Sequence, residues 1–128
     1  MIPDWPPGTV AILATSGHGP HAIPVSTAVK AGPATVMLAL APSRGSLDRL
    51  RSDPRCALVI LAGDDLAVTL HGRAHPAGEA AGTIAVRLEV ERVQDHMRPE
   101  FTIEGGVRWR WTDDDARERD ARVRDALG

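Results

Sequence analysis

The residues best suited to chemistry lie in one stretch, residues 41–55, which reads APSRGSLDRLRSDPR. Apolar runs of strand length precede it (residues 35–40) and follow it (residues 56–61). Between them Ser43 or Ser46 can cap a helix start, and Leu47 and Leu50 put two apolar groups on one face. Pro54 disfavours helical geometry at Asp53 and so ends that helix. The first turn of a helix carries N–H groups without intrahelical acceptors, and its dipole favours negative charge. Two hydroxyls and the Arg44 guanidinium at that point make a reasonable seat for a phosphate. A capped helix with solvated arginines uses the same residues, and the stretch by itself fits both.

A second set of polar groups lies upstream, in the strand-like run HAIPVSTAV of residues 21–29. Successive strand residues face opposite ways, so either Ser26 or Thr27 must point inward, where its hydroxyl needs a protein or ligand partner. Pro24 has no N–H for a ladder and belongs at a sheet edge, or where something other than a strand lies alongside. Trp109 and Trp111 are two apart and would share a strand face. They read as core or dimer contacts, or as the wall of a site.

Other residues carry less. His71 and His75 would share a strand face, but at about 13 Å apart they are too far from each other to hold one ion. No cluster completes a metal set, and none is expected. His18 and His21 read as turn residues. Cys56, the single cysteine, sits in an apolar run and reads as a buried core thiol that forms no intrachain disulfide.

The elements that must position these groups follow from periodicity. Strands are expected over residues 9–15, 21–29, 35–40 and 56–61, then from Leu66 to about His75 after a Gly-Asp-Asp hairpin. Residues 76–82 read as a flexible loop. Ile84, Val86, Leu88 and Val90 alternate with polar or small residues, the signature of a half-exposed strand. Residues 94–105 read as an irregular connection, and Val107, Trp109 and Trp111, alternating with Arg108 and Arg110, as a last strand. Thr112 should cap a C-terminal helix with acids in its first turn and acid-before-base pairs along it, such as Asp120 with Arg124. Its apolar stripe is thin, so it reads as a solvated flank without a site. The expected class is mainly β: a six- to seven-stranded antiparallel barrel, with one short helix between strands 3 and 4 and a C-terminal helix.

The chain of 128 residues reads as a single domain, 1–128. A net charge of -2 gives no case for a nucleic-acid partner. No run approaches the roughly 18 apolar residues of a membrane span, and the first residues do not resemble a signal peptide, so a cytoplasmic protein is expected. Tyrosine is absent, which excludes tyrosine chemistry.

The succession from the Pro-Val-Ser-Thr strand through the Ser-Arg turn to the short helix ending in Leu50-Arg51-Ser52-Asp53-Pro54-Arg55, and on to Cys56-Ala57-Leu58-Val59-Ile60, resembles the pyridoxamine phosphate oxidase-like superfamily. The likeness covers about residues 8–75, with the later strands fitting in outline. Its helix-to-strand segment is the most specific part. The resemblance implies a split β-barrel that binds FMN or a deazaflavin coenzyme. It implies a phosphate held by Ser43, Arg44 and Ser46, with Arg49 one turn on, and a ring lying along Pro24, Val25, Ser26 and Thr27. It also implies a homodimer with cofactors at the interface, where Trp109 or Trp111 of a partner lines each site.

Two departures from the family pattern are visible. Many members carry a basic Ser-Arg-Lys-like run where this chain has Ser43-Arg44-Gly45-Ser46, and many carry a helical insertion where this chain has only residues 76–82. Three functions stay open: an oxidoreductase moving hydride to or from a small molecule, a cofactor-binding or sensing module without turnover, and a ligand-free dimeric barrel.

Overall fold

The computed structural model describes residues 2–107 and 109–128. The elements run β1 (Ala11–Thr15), β2 (His21–Val25), β3 (Val29–Lys30), β4 (Thr35–Leu40), α1 (Gly45–Ser52), β5 (Arg55–Ala62), β6 (Leu66–Ala80), β7 (Thr83–Asp95) and α2 (Asp114–Leu127). The strands form one sheet in the order β2-β1-β5-β6-β7-β4-β3, with every pairing antiparallel.

That order contains the shape. The two edge strands, β2 and β3, are consecutive in the chain and joined only by Ser26, Thr27 and Ala28. So short a link brings the two edges together, and the sheet curls into a barrel that is split between them. Thr27 spans the gap with its side chain: Oγ1 accepts the Ala39 N–H at 3.0 Å and donates to the Ala39 carbonyl at 3.3 Å. Pro24 lies in β2, an edge strand as expected, where its missing N–H breaks no inner ladder.

Inside, alternation fills the barrel. In β5, Cys56, Leu58, Ile60 and Ala62 point in while Arg55 and Leu61 point out. Leu13, Val36, Leu38, Leu58, Ile60, Leu70, Val86 and Leu88 are fully buried, and α1 adds Leu47 and Leu50 over one end. Each such leucine contributes on the order of 1.5–3 kcal/mol by leaving water.

Several expectations are corrected. The second strand ends at Val25, because Ser26–Ala28 make the bend that carries the chain across the split. Residues 76–82 are not a loop: β6 continues to Ala80, with an irregularity between Pro76 and Glu79 that absorbs the proline. A tight turn follows at Ala81 and Gly82, both at positive φ, as a two-residue hairpin with right-twisted strands requires. Strand β7 likewise reaches Asp95, beyond the point where sequence polarity suggested an end.

The expected last strand over residues 107–111 is absent among its described residues; Arg108 lies outside them. Alternation makes a strand only where a sheet edge is free to pair with it. Here residues 103–106 cross the end of the β5–β6 hairpin, and Val107, Trp109 and Trp111 pair with no strand among the described residues. The Ile103 N–H is taken by the Asp65 carboxylate at 2.7 Å. Gly106 lies so close that an added Cβ would fall 2.4 Å from the Leu61 carbonyl oxygen.

Candidate functional site

Helix α1 is set by its apolar face. Leu47 and Leu50 are each 1% exposed and anchor it to the barrel. Neither candidate serine caps it. The N-cap is Arg44, with extended backbone (φ -67°, ψ 130°) and no side-chain capping bond. Among the described residues the first-turn amides keep no side-chain acceptor, and the Leu47 N–H donates to the Arg44 carbonyl at 3.2 Å. Arg44 is exposed at the mouth of this turn. The two acids of the same stretch are engaged elsewhere: Asp48 with Arg51 at 3.4 Å, and Asp53 with Arg55 at 2.7 Å. Arg55 donates to Asp53 from its side chain and its backbone, and these bonds hold the Asp53 carboxyl down at about 2.

Ser43 is exposed on the same turn. Ser46 faces the other way: it is 1% exposed, and among the described residues its Oγ has no hydrogen-bond partner. Arg49 is directed away from the helix start. Its Nη1 donates to the carbonyls of Gly17 at 3.0 Å and Gly19 at 3.2 Å, tying α1 to the β1–β2 turn. Gly17 is needed for that contact, since a Cβ there would sit 2.1 Å from the Arg49 carbonyl oxygen.

At the split of the barrel a cleft of about 210 Å³ opens between the end of β2 and the end of β4. Pro24, Val25, Ser26 and Thr27 form one side, and Arg44, Trp109 and Trp111 close it. Seven of the ten residues singled out in the sequence thus meet in one place, while Ser43, Ser46 and Arg49 do not line it. The indoles pack edge to face, with ring centroids 5.8 Å apart and planes at 61°. They remain 44% and 39% exposed, which leaves a large aromatic surface at the cleft uncovered. Thr27 is committed to β4, as described above. Ser26 is buried and donates to Oδ1 of Asp120 at 2.7 Å.

Asp120 is the residue sequence reasoning missed. It lies on α2, pairs with Arg124 one turn on, and has a side chain only 9% exposed. Its pairing with Arg124 was legible at i,i+4; its reach to Ser26 depends on where α2 docks. The helix is capped by Asp113 and not Thr112, the Asp113 carboxylate accepting the Asp115 N–H at 2.9 Å.

Cys56 is an inert core thiol, its pKa pushed up to about 12 by burial. Of the histidines, His71 Nε2 meets Gln94 at 2.9 Å and His96 Nε2 meets Thr69 at 2.7 Å, so both are engaged within the sheet.

Similar solved structures carry the same curled sheet. HupZ of Group A Streptococcus superposes with a TM-score of 0.61 at 13% identity, over 77% of this chain and 88% of HupZ. A candidate pyridoxamine 5′-phosphate oxidase of Lactobacillus delbrueckii superposes at 0.60 with 17% identity, over 67% of this chain and 84% of that one. This is the pyridoxamine 5′-phosphate oxidase-like split-barrel fold. The NADH:FAD oxidoreductase SgcE6 of Streptomyces globisporus, solved with NAD and FAD fragments, shares it at 0.59 and 16% identity, over 72% of this chain and 76% of its own. No family model matches the sequence, and no curated protein matches it. Identities this low establish the split barrel and leave the site to be argued from its residues. Among the described residues no helix is long and apolar enough to cross a membrane.

Proposed function

We propose that this chain binds a flavin-type cofactor in the cleft at the split of the barrel and serves as an oxidoreductase for a small molecule. The observation that carries the reading is the convergence of a guanidinium without an ion-pair partner among the described residues, a helix start without a side-chain cap from its N-cap residue and an exposed indole pair on one cleft. The flavin-handling protein of the same fold, SgcE6, supports it.

The donor set fits such a group. Arg44 can bind two phosphate oxygens at once, and the first-turn amides of α1 add oriented donors beside it. Ser43, exposed on the same turn, is within the same reach in sequence. Pro24 and Val25 offer an apolar floor for a planar ring, and the tryptophans offer a face for stacking and help exclude water. A bound flavin or deazaflavin would supply the hydride-transfer chemistry. The chain's own part is to bind the phosphate, orient the ring along β2 and keep the cleft dry. FMN and a deazaflavin coenzyme both satisfy this donor set.

At about 210 Å³ the cleft is smaller than the roughly 300–1,000 Å³ usual for small-molecule sites. We take it as half of a site completed by a second copy, with Trp109 or Trp111 reaching toward the partner's cofactor. Leu61, Ile12 and Val107, also exposed, add to the apolar surface a homodimer would cover.

One observation favours a second reading. Both cleft hydroxyls, Ser26 and Thr27, are already spent on protein partners, as a ligand-free dimeric barrel or a binding module without turnover would have them. The absorption spectrum of freshly purified protein, followed by titration with FMN and with a deazaflavin, separates these. Saturable binding with a shifted spectrum and substrate-dependent reoxidation supports the enzyme. Binding without turnover supports the module. A protein that ignores both cofactors leaves the ligand-free barrel.

A further inference from the structure

Ser26 and α2 meet at the cleft, and that contact sets how the cleft is held. Ser26 belongs to the bend that carries the chain across the split, and it lines the cleft. Its hydroxyl is given to Asp120, which is paired in turn with Arg124. The Arg124 guanidinium reaches the N-terminal turn, with Nη1 only 3.6 Å from where a Cβ of Gly8 would lie. Against this, α2 buries a single apolar residue, Val123. A helix with so little apolar surface is held where its polar contacts hold it. Only Thr112 and Asp113 separate Trp111 from α2, so the position of the helix limits that of the indole pair.

We infer that Asp120 is a positioning residue for the cleft, acting through Ser26. By accepting the hydroxyl proton, the carboxylate fixes the Ser26 rotor and docks α2, and with α2 it holds Trp109 and Trp111 against residues 24–27. It also decides what Ser26 can offer. With its O–H committed to a carboxylate, the oxygen has only acceptor capacity left. A ligand edge placed beside Ser26 must therefore donate, as a ring N–H does, and an edge of bare acceptors is disfavoured there.

The test uses the full chain without any cofactor, so it stands apart from the flavin reading. Asp120→Ala, Asp120→Asn and Ser26→Ala are compared with the parent by amide hydrogen exchange across α2. Iodide quenching of tryptophan fluorescence is followed in a Trp5→Phe background, so that the signal comes from Trp109 and Trp111. Asp120→Ala should speed exchange in α2 by tenfold or more and increase quenching. Asp120→Asn keeps an oxygen for Ser26 and should restore most of the protection, while Ser26→Ala should reproduce much of the Ala effect. Unchanged exchange and quenching in Asp120→Ala would overturn the inference. So would an Asn variant as loose as the Ala one with Ser26→Ala left tight, since the helix would then be held by the Arg124 pair alone. If Asp120→Ala does not fold, Ser26→Ala decides between the same outcomes.

Discussion

The two helices flank the same cleft and are held by opposite means. The short one, α1, buries Leu47 and Leu50 completely and is tied to the β1–β2 turn by Arg49. The long one, α2, buries only Val123 and reaches the cleft through Asp120. Length therefore says little about which helix is fixed. The shorter helix offers rigid donors, and the longer one, with the tryptophans leading into it, forms the wall that can adjust. A phosphate is best served by donors already in place, and a planar ring of uncertain size by a wall that yields.

The sharpest break in that contrast is apolar. Leu50→Ala should cost about 2–5 kcal/mol, since the site is sealed between helix and barrel and cannot collapse freely. Val123→Ala on α2 should cost only about 1 kcal/mol, as expected of a thinly packed helix. Urea denaturation of both variants checks this. Equal losses would mean that α2 is as much a part of the core as α1. Gly17→Ala tests the same anchoring from the other side. A methyl 2.1 Å from the Arg49 carbonyl forces helix and turn apart, at an expected cost of about 1–3 kcal/mol.

The functional form of the comparison is Arg44→Ala. On the proposed reading, a charge-assisted contact from Arg44 to a phosphate would be worth about 1.5–3 kcal/mol, so flavin affinity should fall roughly ten- to more than a hundredfold with the denaturation midpoint unchanged. Trp111→Ala, on the adjustable side, should weaken ring binding less, about tenfold or below, given the roughly 0.5–1.5 kcal/mol of an aromatic pair beyond its buried area. Fluorescence titration with FMN reads both. Equal affinity of the parent and Arg44→Ala would return residues 41–55 to a helix with solvated arginines.

The contrast also separates what the sequence made legible from what it did not. Helix α1 could be read because its signals are local: apolar runs on each side, Leu47 and Leu50 on one face, Pro54 as a stop. Pro24 could be read at an edge because it has no N–H for a ladder, and Ser26 and Thr27 stood out as neighbouring hydroxyls of which one must face inward. What failed was non-local. The Val107, Trp109, Trp111 alternation has the period of a strand, but among the described residues it pairs with none, and the indoles lie instead at the cleft beside the β2 edge. Residues 76–82 look like a loop, yet β7 lies alongside β6 and carries the pairing through to Ala80. Ser46 has the type of a phosphate donor, but the register that buries Leu47 and Leu50 turns it inward as well. Asp120 stayed hidden because its partner lies 94 residues away, and nothing on α2 itself marks that one acid among many.

The smallest expected effect concerns the end of α1, where Asp53 is held by Arg55. Bonds from the Arg55 side chain and backbone lower the Asp53 carboxyl from 3.8 to about 2. A carboxyl depressed in the folded state contributes stability that is fully present above its unfolded value. That contribution is lost as pH falls from about 3.8 through about 2. Arg55 is well exposed, its side chain at 68%, so solvent and salt screen much of the pair and the contribution stays small. Melting temperatures of the parent and Asp53→Asn should therefore differ slightly at pH 6 and converge toward pH 2, with added salt narrowing the gap at pH 6. The carboxylate also accepts the Arg55 N–H just after the helix ends, at 3.1 Å, and an asparagine can replace that bond but not the charge. A gap that persists unchanged at pH 2, where the carboxyl is largely neutral, would show that the charge does not set the difference, and α1 would then owe the firmness of its C-terminal end to packing and backbone geometry without help from the ion pair.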